Sequence, residues 1–355
     1  MSDLLSDGAR HAVRDRYPNV AELHTDLAGE IYGVFRQGVR EFPAEPEHKV
    51  YRHGPRPALW SNAEAYLEFL DETAADDTKR RWLCVELKLL NSLKGNEPRA
   101  TEYYRAETGE PSGSLEDIKR LPALAWKLVA AHCCAFLEPV TQDEILNLEK
   151  WAPYLRWLSR LTPADDTVVT FNYDRVLERL SEAACLDYIT GFQIVANEDS
   201  EHRADGRRPL VLKLHGSVDW ELIDGKQSGE WLFRSTRQAD FAIHCPPERL
   251  AIAVPGRSKL PRSRSFDVLW RMAETAIQEA EEIYFLGYRF PPSDIEAQKR
   301  ILGALAKARN VKIRVVLGKS HDDSARLKDL IEIYTDKTPR VFSLTAEEYI
   351  QAWSE

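Results

Sequence analysis

Three apolar runs in this chain end in residues able to do chemistry. "LVLKLH" closes on His215 and passes into Gly216; "TVVTFNYD" closes on Asn172 and Asp174. A third run, "EIYFLG", leads through Gly287 and Tyr288 into "RFPPSD", which holds Ser293 and Asp294. An imidazole of ordinary pKa, ~6.5, can take up and return a proton near neutral pH. A carboxamide can orient hydroxyls or water, and a carboxylate accepts hydrogen bonds. Plainer roles exist for each. Asn172 can cap the helix after it, Asp174 can sit in that helix's first turn, and His215 can be a satisfied core histidine. Their joint occurrence at strand ends points instead to a polar ligand held beside an acid–base group.

The elements that must position them are legible from periodicity. "TVVTFN" (167–172), "LVLKLHG" (210–216), "LAIAVPG" (250–256), "EIYFLG" (282–287) and "VKIRVVLG" (311–318) read as short buried strands, the second stopping at Gly216. Amphipathic helices follow several of them. "YDRVLERLSEAA" sets Val176, Leu177, Leu180 and Ala184 on one face; "FDVLWRMAETAIQEAEE" and "DIEAQKRILGALAKAR" behave alike, the last capped by Ser293 or Asp294. Strands alternating with helices predict a parallel sheet covered on both faces, with ligands at its carboxyl edge.

Ahead of residue 165 the pattern is helical, over 61–74, 77–93, 114–137 and 142–161. Ser61 with Glu64 and Ser114 with Asp117 read as capping boxes. Pro122 and Pro153 should kink or split their helices. Trp151, Leu155 and Leu158 read as packing residues. The fold class expected is α/β: a Rossmann-like parallel sheet with helices on both faces and a helical insertion. Its parts are residues 1–50 (the start of the Rossmann-like domain), 51–163 (the insertion) and 164–355 (the main domain).

Bulk properties narrow the function classes. The 355 residues are 43% hydrophobic, enough for a substantial core, and carry a net charge of −9. That charge gives no general electrostatic attraction for nucleic acid. No apolar run is long enough to span a bilayer and no signal-peptide pattern opens the chain, so a cytoplasmic, non-membrane protein is expected. Cys84, Cys133, Cys134, Cys185 and Cys245 form no C-x-x-C pair, which argues against a zinc site and for reduced, mostly buried thiols.

"VVTFNYDRVLER", "LVLKLHGSVDW", "AIAVPGRSK" and "IYFLGYRFPPSD" together resemble, in order and spacing, the signatures of the sirtuin-like family of prokaryotic defence proteins. The likeness covers residues 165–350. "TFNYD" stands where sirtuin deacylases carry Thr-Gln-Asn-Ile-Asp, and His215 stands where they carry the catalytic histidine. The resemblance implies a Rossmann-like NAD site that hydrolyses NAD, without zinc, in antiphage defence and abortive infection. It makes Asn172 and His215 the catalytic pair. Asp174, Gly8, Ala9, Thr170, Phe171, Gly216, Gly287 and Tyr288 become contacts to the dinucleotide. It further implies a homo-oligomer and a partner such as an Argonaute-like subunit or a DNA-translocating ATPase. The missing cysteine pairs set the chain apart from lysine deacylases, whose structural zinc module needs them.

One departure opens a second reading. The family begins with a strand entering Gly-Ala-Gly-x-Ser, with a proline about ten residues on. Gly8, Ala9 and Pro18 fit, but Arg10 replaces the second glycine and Ala12 the serine. Glycine lets backbone amides approach a pyrophosphate, which a Cβ and a guanidinium would obstruct. A start upstream of Met1, carrying the first strand, is one explanation. A catalytically degenerate nucleotide-binding or scaffold subunit of a defence complex is the other. "GRSKLPRSRS" (256–265) is either a solvated loop or a phosphate or partner contact; direct nucleic-acid binding is not expected.

Overall fold

The computed structural model describes residues 63–80, 141–162, 165–191, 209–223, 232–236, 241–246, 249–253, 266–290, 294–319 and 321–354, with scattered positions between 103 and 134. The glycine motif at Gly8–Ala12, the capping residues Ser61 and Ser114, the helix beyond Arg80, Ser293 and the basic segment 256–265 lie outside the described residues. The chain divides into two compact units. The first, Met1–Cys134 with Asp240–Leu260, contains α1 (Ala63–Ala75), a small antiparallel pair β1 (Tyr103–Tyr104) and β2 (Pro111–Gly113), a helical turn at Phe241–His244 and β8 (Leu250–Ile252). Helix α1 buries Leu67 and Leu70, one turn apart on the same face.

The second unit, Ala135–Ala239 with Pro261–Glu355, holds the parallel strands. Its helices are α2 (Gln142–Asn147), α3 (Ala152–Arg160), α4 (Val176–Ala183), α5 (Asp267–Glu279), α6 (Ile295–Lys307), α7 (His321–Thr335) and α8 (Ala346–Ser354). One three-stranded sheet runs β3 (Thr167–Thr170), β5 (Leu210–Lys213), β4 (Ile189–Thr190); another runs β11 (Arg340–Phe342), β10 (Lys312–Val316), β9 (Glu282–Leu286). All their pairings are parallel. The unit is therefore mixed α/β, with helices joining successive parallel strands as the alternating pattern required. Strand β3 and strand β9 border the same open cleft, of about 1790 Å³.

Local chemistry explains the ends of these elements. Thr141 and Glu144 form a capping box at α2, with Glu144 N donating to Thr141 Oγ1 (3.2 Å) and Thr141 N to Glu144 Oε2 (2.7 Å). Pro153 divides the helical stretch as expected: α2 gives way to a 3-10 turn at Glu149–Trp151, and Pro153 stands in the first turn of α3. Leu158 is buried beside Ile145, Leu180 and Ala183, with Trp151 and Leu155 packed against them. Helix α4 is closed just past its C-cap, Ala184, by Cys185, whose φ of 54° lets Leu186 N donate to Ser181 O at 2.9 Å. Cys185 is exposed there, whereas Cys133, Cys134 and Cys245 are buried.

Two expectations need correcting. The strand beginning at Leu210 ends at Lys213, not at Gly216. Gly216, at φ 79°, opens a further strand instead, β6 (Gly216–Ile223), which pairs antiparallel with β7 (Leu232–Ser235). A positive φ costs a glycine nothing, so the chain can reverse there and continue in extended form. "SVDWEL" alternates polar and apolar residues, the mark of a strand with two distinct faces. The second correction concerns caps: the helix after "FPPS" has Asp294 at its N-cap position but no side-chain cap bond.

Candidate functional site

Parallel register sets the ends of the two strands that lead to the principal residues side by side. Thr170 of β3 pairs with Lys213 of β5. Asn172 and His215 each stand two residues beyond that pair, at the carboxyl ends of adjacent strands. The loops carrying them are tied together. Leu214 N donates to Thr170 O (3.0 Å), Val218 N to Tyr173 O (2.9 Å), and the Lys213 ammonium to Asp174 O.

The predicted residues divide between an open wall and a buried layer. Thr170, Phe171, Asn172, Asp174 and Tyr288 line the cleft. Asn172 is exposed, and its backbone N–H donates to Thr170 Oγ1 at 3.1 Å. Asp174 Oδ1 accepts from Val176 N at 2.9 Å, so this carboxylate secures the start of α4 while bordering the cleft. Asn172 does not serve as the cap; the N-cap position belongs to Arg175. His215 is 6% exposed and lies behind Phe171, whose ring meets the imidazole edge-on at 5.0 Å. Gly216 is buried beside it, and Gly287 is exposed past the end of β9 at φ 73°, its amide donating to Val316 O at 2.9 Å. Gly8 and Ala9 lie outside the described residues.

Asp294, assigned to a cap from the sequence, belongs to this layer. It is 4% exposed; Oδ2 accepts from the Tyr288 hydroxyl at 2.8 Å and Oδ1 lies 3.4 Å from His215 Nε2. The Tyr288 ring stacks flat on Phe171, with centroids 3.9 Å apart and planes 8° from parallel. Next in the loop, Phe290 is fully buried at φ 49°, a conformation that costs a bulky residue roughly 1–3 kcal/mol. Its ring packs against Tyr288 and Phe285, and its carbonyl accepts from Arg326 at 3.0 Å, contacts that offset the strain. No local signal joins Asp294 to His215, because they are far apart in sequence.

Behind the strand ends lies a buried ionic network. Lys213 donates to Glu178 Oε1 (2.8 Å) and Ser217 Oγ (3.0 Å). Ser217 Oγ donates in turn to Asp219 Oδ1 (2.6 Å), while Ser235 Oγ donates to Asp219 Oδ2 (3.2 Å). Burial pushes the Glu178 carboxyl up from its ordinary range, against the pull of the Lys213 ammonium. Burial and then the Glu178 carboxylate likewise push the Tyr188 phenol up. Burial opposes the charge on Arg175, but the Asp219 and Glu182 carboxylates outweigh it and raise its pKa. This network joins the β3–α4 loop to β5 and β6, so it positions both loops of the site.

The arrangement can bind a polar ligand along Thr170, Asn172 and Asp174 and flank it with the Phe171–Tyr288 stack, with the His215 imidazole and the Asp294 carboxylate in the buried layer behind. Among the described residues, no group of three or more His, Cys, Asp and Glu side chains could hold a metal ion. No helix among them is long and apolar enough to cross a membrane. Comparison with known families matches residues 166–334 to the SIR2-like domain, the stretch that holds Asn172, His215 and Asp294. No curated protein matches the sequence significantly.

Proposed function

We propose that this chain, which carries a SIR2-like domain at residues 166–334, is an NAD glycohydrolase that cleaves NAD to nicotinamide and ADP-ribose. A SIR2-like domain ties the chain to NAD-related, sirtuin-like function; hydrolysis is the specific form that the residues favour. The observation that carries it is the pairing of β3 with β5 up to Thr170 and Lys213, which leaves Asn172 and His215 each two residues past the carboxyl ends of adjacent strands. Rupture of the nicotinamide–ribose bond passes through an oxocarbenium-like state, as in glycoside hydrolysis. The leaving group is a neutral pyridine and needs no strong acid. The protein's task is to hold the ribose, orient water and accept one proton. Asn172 orients ribose, carboxamide or water, and His215 takes the proton. Asp174, Thr170, Phe171, Tyr288, Gly216 and Gly287 would border the dinucleotide, with Gly8 and Ala9 at its phosphates.

The proposed setting is antiphage defence, by the resemblance set out above, with an Argonaute-like or ATPase partner and self-association. The test is nicotinamide release from NAD by the purified chain. His215→Ala and Asn172→Ala should each lower the rate by about 10²–10⁴-fold; the melting temperature should be nearly unchanged for exposed Asn172 and lowered for buried His215. Equal release by His215→Ala would refute the assignment. The altered Gly8–Ala12 segment favours a second reading, a nucleotide-binding scaffold; tight NAD binding without turnover is the result that reading expects.

A further inference from the structure

The cleft between β3 and β9 is bordered by the edges of the two parallel sheets, not by their faces. Where a sheet face lines a cavity, alternate residues of each strand meet it. Here consecutive residues do: Thr167–Thr170 on β3 and Glu282–Leu286 on β9. Among the described residues, each of these strands is the last of its sheet. Main-chain bonding agrees, because a parallel ladder uses every second residue of a strand. Leu210 N donates to Asp166 O and Leu214 N to Thr170 O, so even-numbered residues of β3 face β5, while Thr167 and Val169 turn their main-chain groups to the cleft. Lys312 N donates to Glu281 O and Gly287 N to Val316 O, so odd-numbered residues of β9 face β10, while Glu282 and Leu286 face the cleft. Val168 and Val169 are accordingly only half-buried, whereas Val211 and Leu212 of the inner strand β5 are buried.

Open strand edges are templates for a further strand. The Phe171–Tyr288 stack joins the carboxyl ends of β3 and β9, so both run the same way along the cleft, and a strand between them would be parallel to each. Five extended residues span ~17 Å and fill about 800 Å³ at ordinary strand and layer spacings, well within the 1790 Å³ of the cleft. Tyr154 and Trp157 of α3 and Val268 and Met272 of α5 also line it, so helices would cover such a strand. Beside the starts of β3 and β9, three exposed acids, Asp165, Glu279 and Glu281, outnumber Arg160.

We propose that this cleft is a docking slot for an extended segment of another polypeptide, added as a strand parallel to β3 and β9. The segment has a Lys or Arg at its amino end, followed by five apolar residues without proline. A strand covered on both faces is apolar throughout, and its two rows of main-chain groups pair with β3 on one side and β9 on the other. The acids at the amino end select the basic residue. Outside the described helices and strands, no Lys or Arg of this chain is followed by five apolar residues, which favours a separate polypeptide. The added strand ends level with Thr170 and Leu286, leaving Asn172 and Asp174 to a ligand at the rim. Its binding does not depend on the hydrolase reading.

The probe is the peptide Lys-Lys-Val-Ile-Val-Ile-Val-Gly-Ser, labelled at its carboxyl end and titrated with the full chain in the absence of NAD. It should bind. The same peptide with glutamates in place of the lysines should bind at least about tenfold more weakly, and one with proline at the central valine should not bind. Amide hydrogen exchange at Thr167, Val169, Glu282 and Leu286 should be fast in the free chain and at least about tenfold slower with the peptide. Val169→Pro removes a donor that faces the cleft and none that faces β5, so it should fold and weaken binding by about tenfold or more. If it does not fold, Asp165→Lys with Glu281→Lys, both exposed positions, serves instead and should reverse the order of the lysine and glutamate peptides. No binding of the lysine peptide at about 1 mM, equal binding of the glutamate peptide, or unchanged binding by either variant would overturn the proposal. Slow exchange at those amides in the free chain would overturn it too: in a monomer it would mean that a segment of this same chain fills the slot, and in a dimer that a second copy does. Absence of nicotinamide release would count against the hydrolase reading alone.

Discussion

The two parallel sheets of the second unit handle charge in opposite ways. In the β3–β5–β4 sheet, Lys213 lies inside the strand ladder, its side chain 2% exposed, against a Glu178 side chain only 7% exposed. In the β11–β10–β9 sheet, Arg314 bridges to Glu282 with both side chains 29% exposed. A half-exposed pair on neighbouring strands adds little to stability, typically under 1 kcal/mol. A buried pair is a different object: both ions lose water, and their attraction seldom repays that loss in full. The sheet bearing the candidate chemistry thus contains the costlier charges. In return, the ammonium joins three separate segments, at Asp174 O, Glu178 and Ser217, and so fixes the loop that carries Asn172.

The sharpest way to break this contrast is Lys213→Met. It strands Glu178 and removes the donor to Asp174 O and Ser217. Chemical denaturation should show a loss of about 3–5 kcal/mol, as for other buried pairs cut on one side. A loss below ~1 kcal/mol would mean that the pair behaves like a surface one. The double variant Lys213→Met with Glu178→Leu sharpens the point. Replacing both ions by apolar groups should recover most of the loss, while nicotinamide release stays reduced because the Asp174 loop has lost its tether. Full recovery of activity alongside stability would show that the network holds no loop.

The smallest effect belongs to the other sheet. Burial works against the charge on Glu282, but the Tyr284 hydroxyl and the Arg314 guanidinium outweigh it and hold the carboxyl below its ordinary value. A folded pKa below the unfolded one gives stability that is complete above the unfolded value and disappears as pH falls through the folded value. Glu282→Gln should therefore lower the melting temperature slightly near neutral pH, by the equivalent of less than ~1 kcal/mol. The difference from wild type should vanish below about pH 4. A difference that grows in acid would contradict this account.

Much of the second unit was legible in the sequence because its signals are local. The runs at 167, 282 and 312 became β3, β9 and β10, and the three amphipathic stretches became α4, α5 and α6. The hairpin of β6 and β7 was missed although "SVDWEL" alternates plainly. Its polar residues Ser217, Asp219 and Glu221 are all buried. Their partners explain this: Lys213 on the preceding strand and Ser235 and Arg234 on β7 supply hydrogen bonds and counter-charges. On the other face, Trp220 stacks on Phe233 with centroids 5.0 Å apart. For the site, Asn172 and His215 could be paired in advance because parallel strands share a rim. Asp294 could not, since its local context, a residue opening a helix after two prolines, states a cap and its true partners are tertiary.

Four ties span the 170–174 and 213–218 segments: two main-chain amides, one ammonium and, more weakly, the Ser217 hydroxyl on Tyr173 O. They behave as a clasp, and a clasp admits no partial adjustment. While those bonds hold, a change that shifts either arm carries the other with it, so the spacing between the two arms is inherited by variants that keep them. Attempts to retune this centre for a longer or shorter substrate will gain little from the arms themselves; the adjustable parts are the ring of Phe171, whose side chain takes no part in the ties, and that of Tyr288, which stands outside both segments.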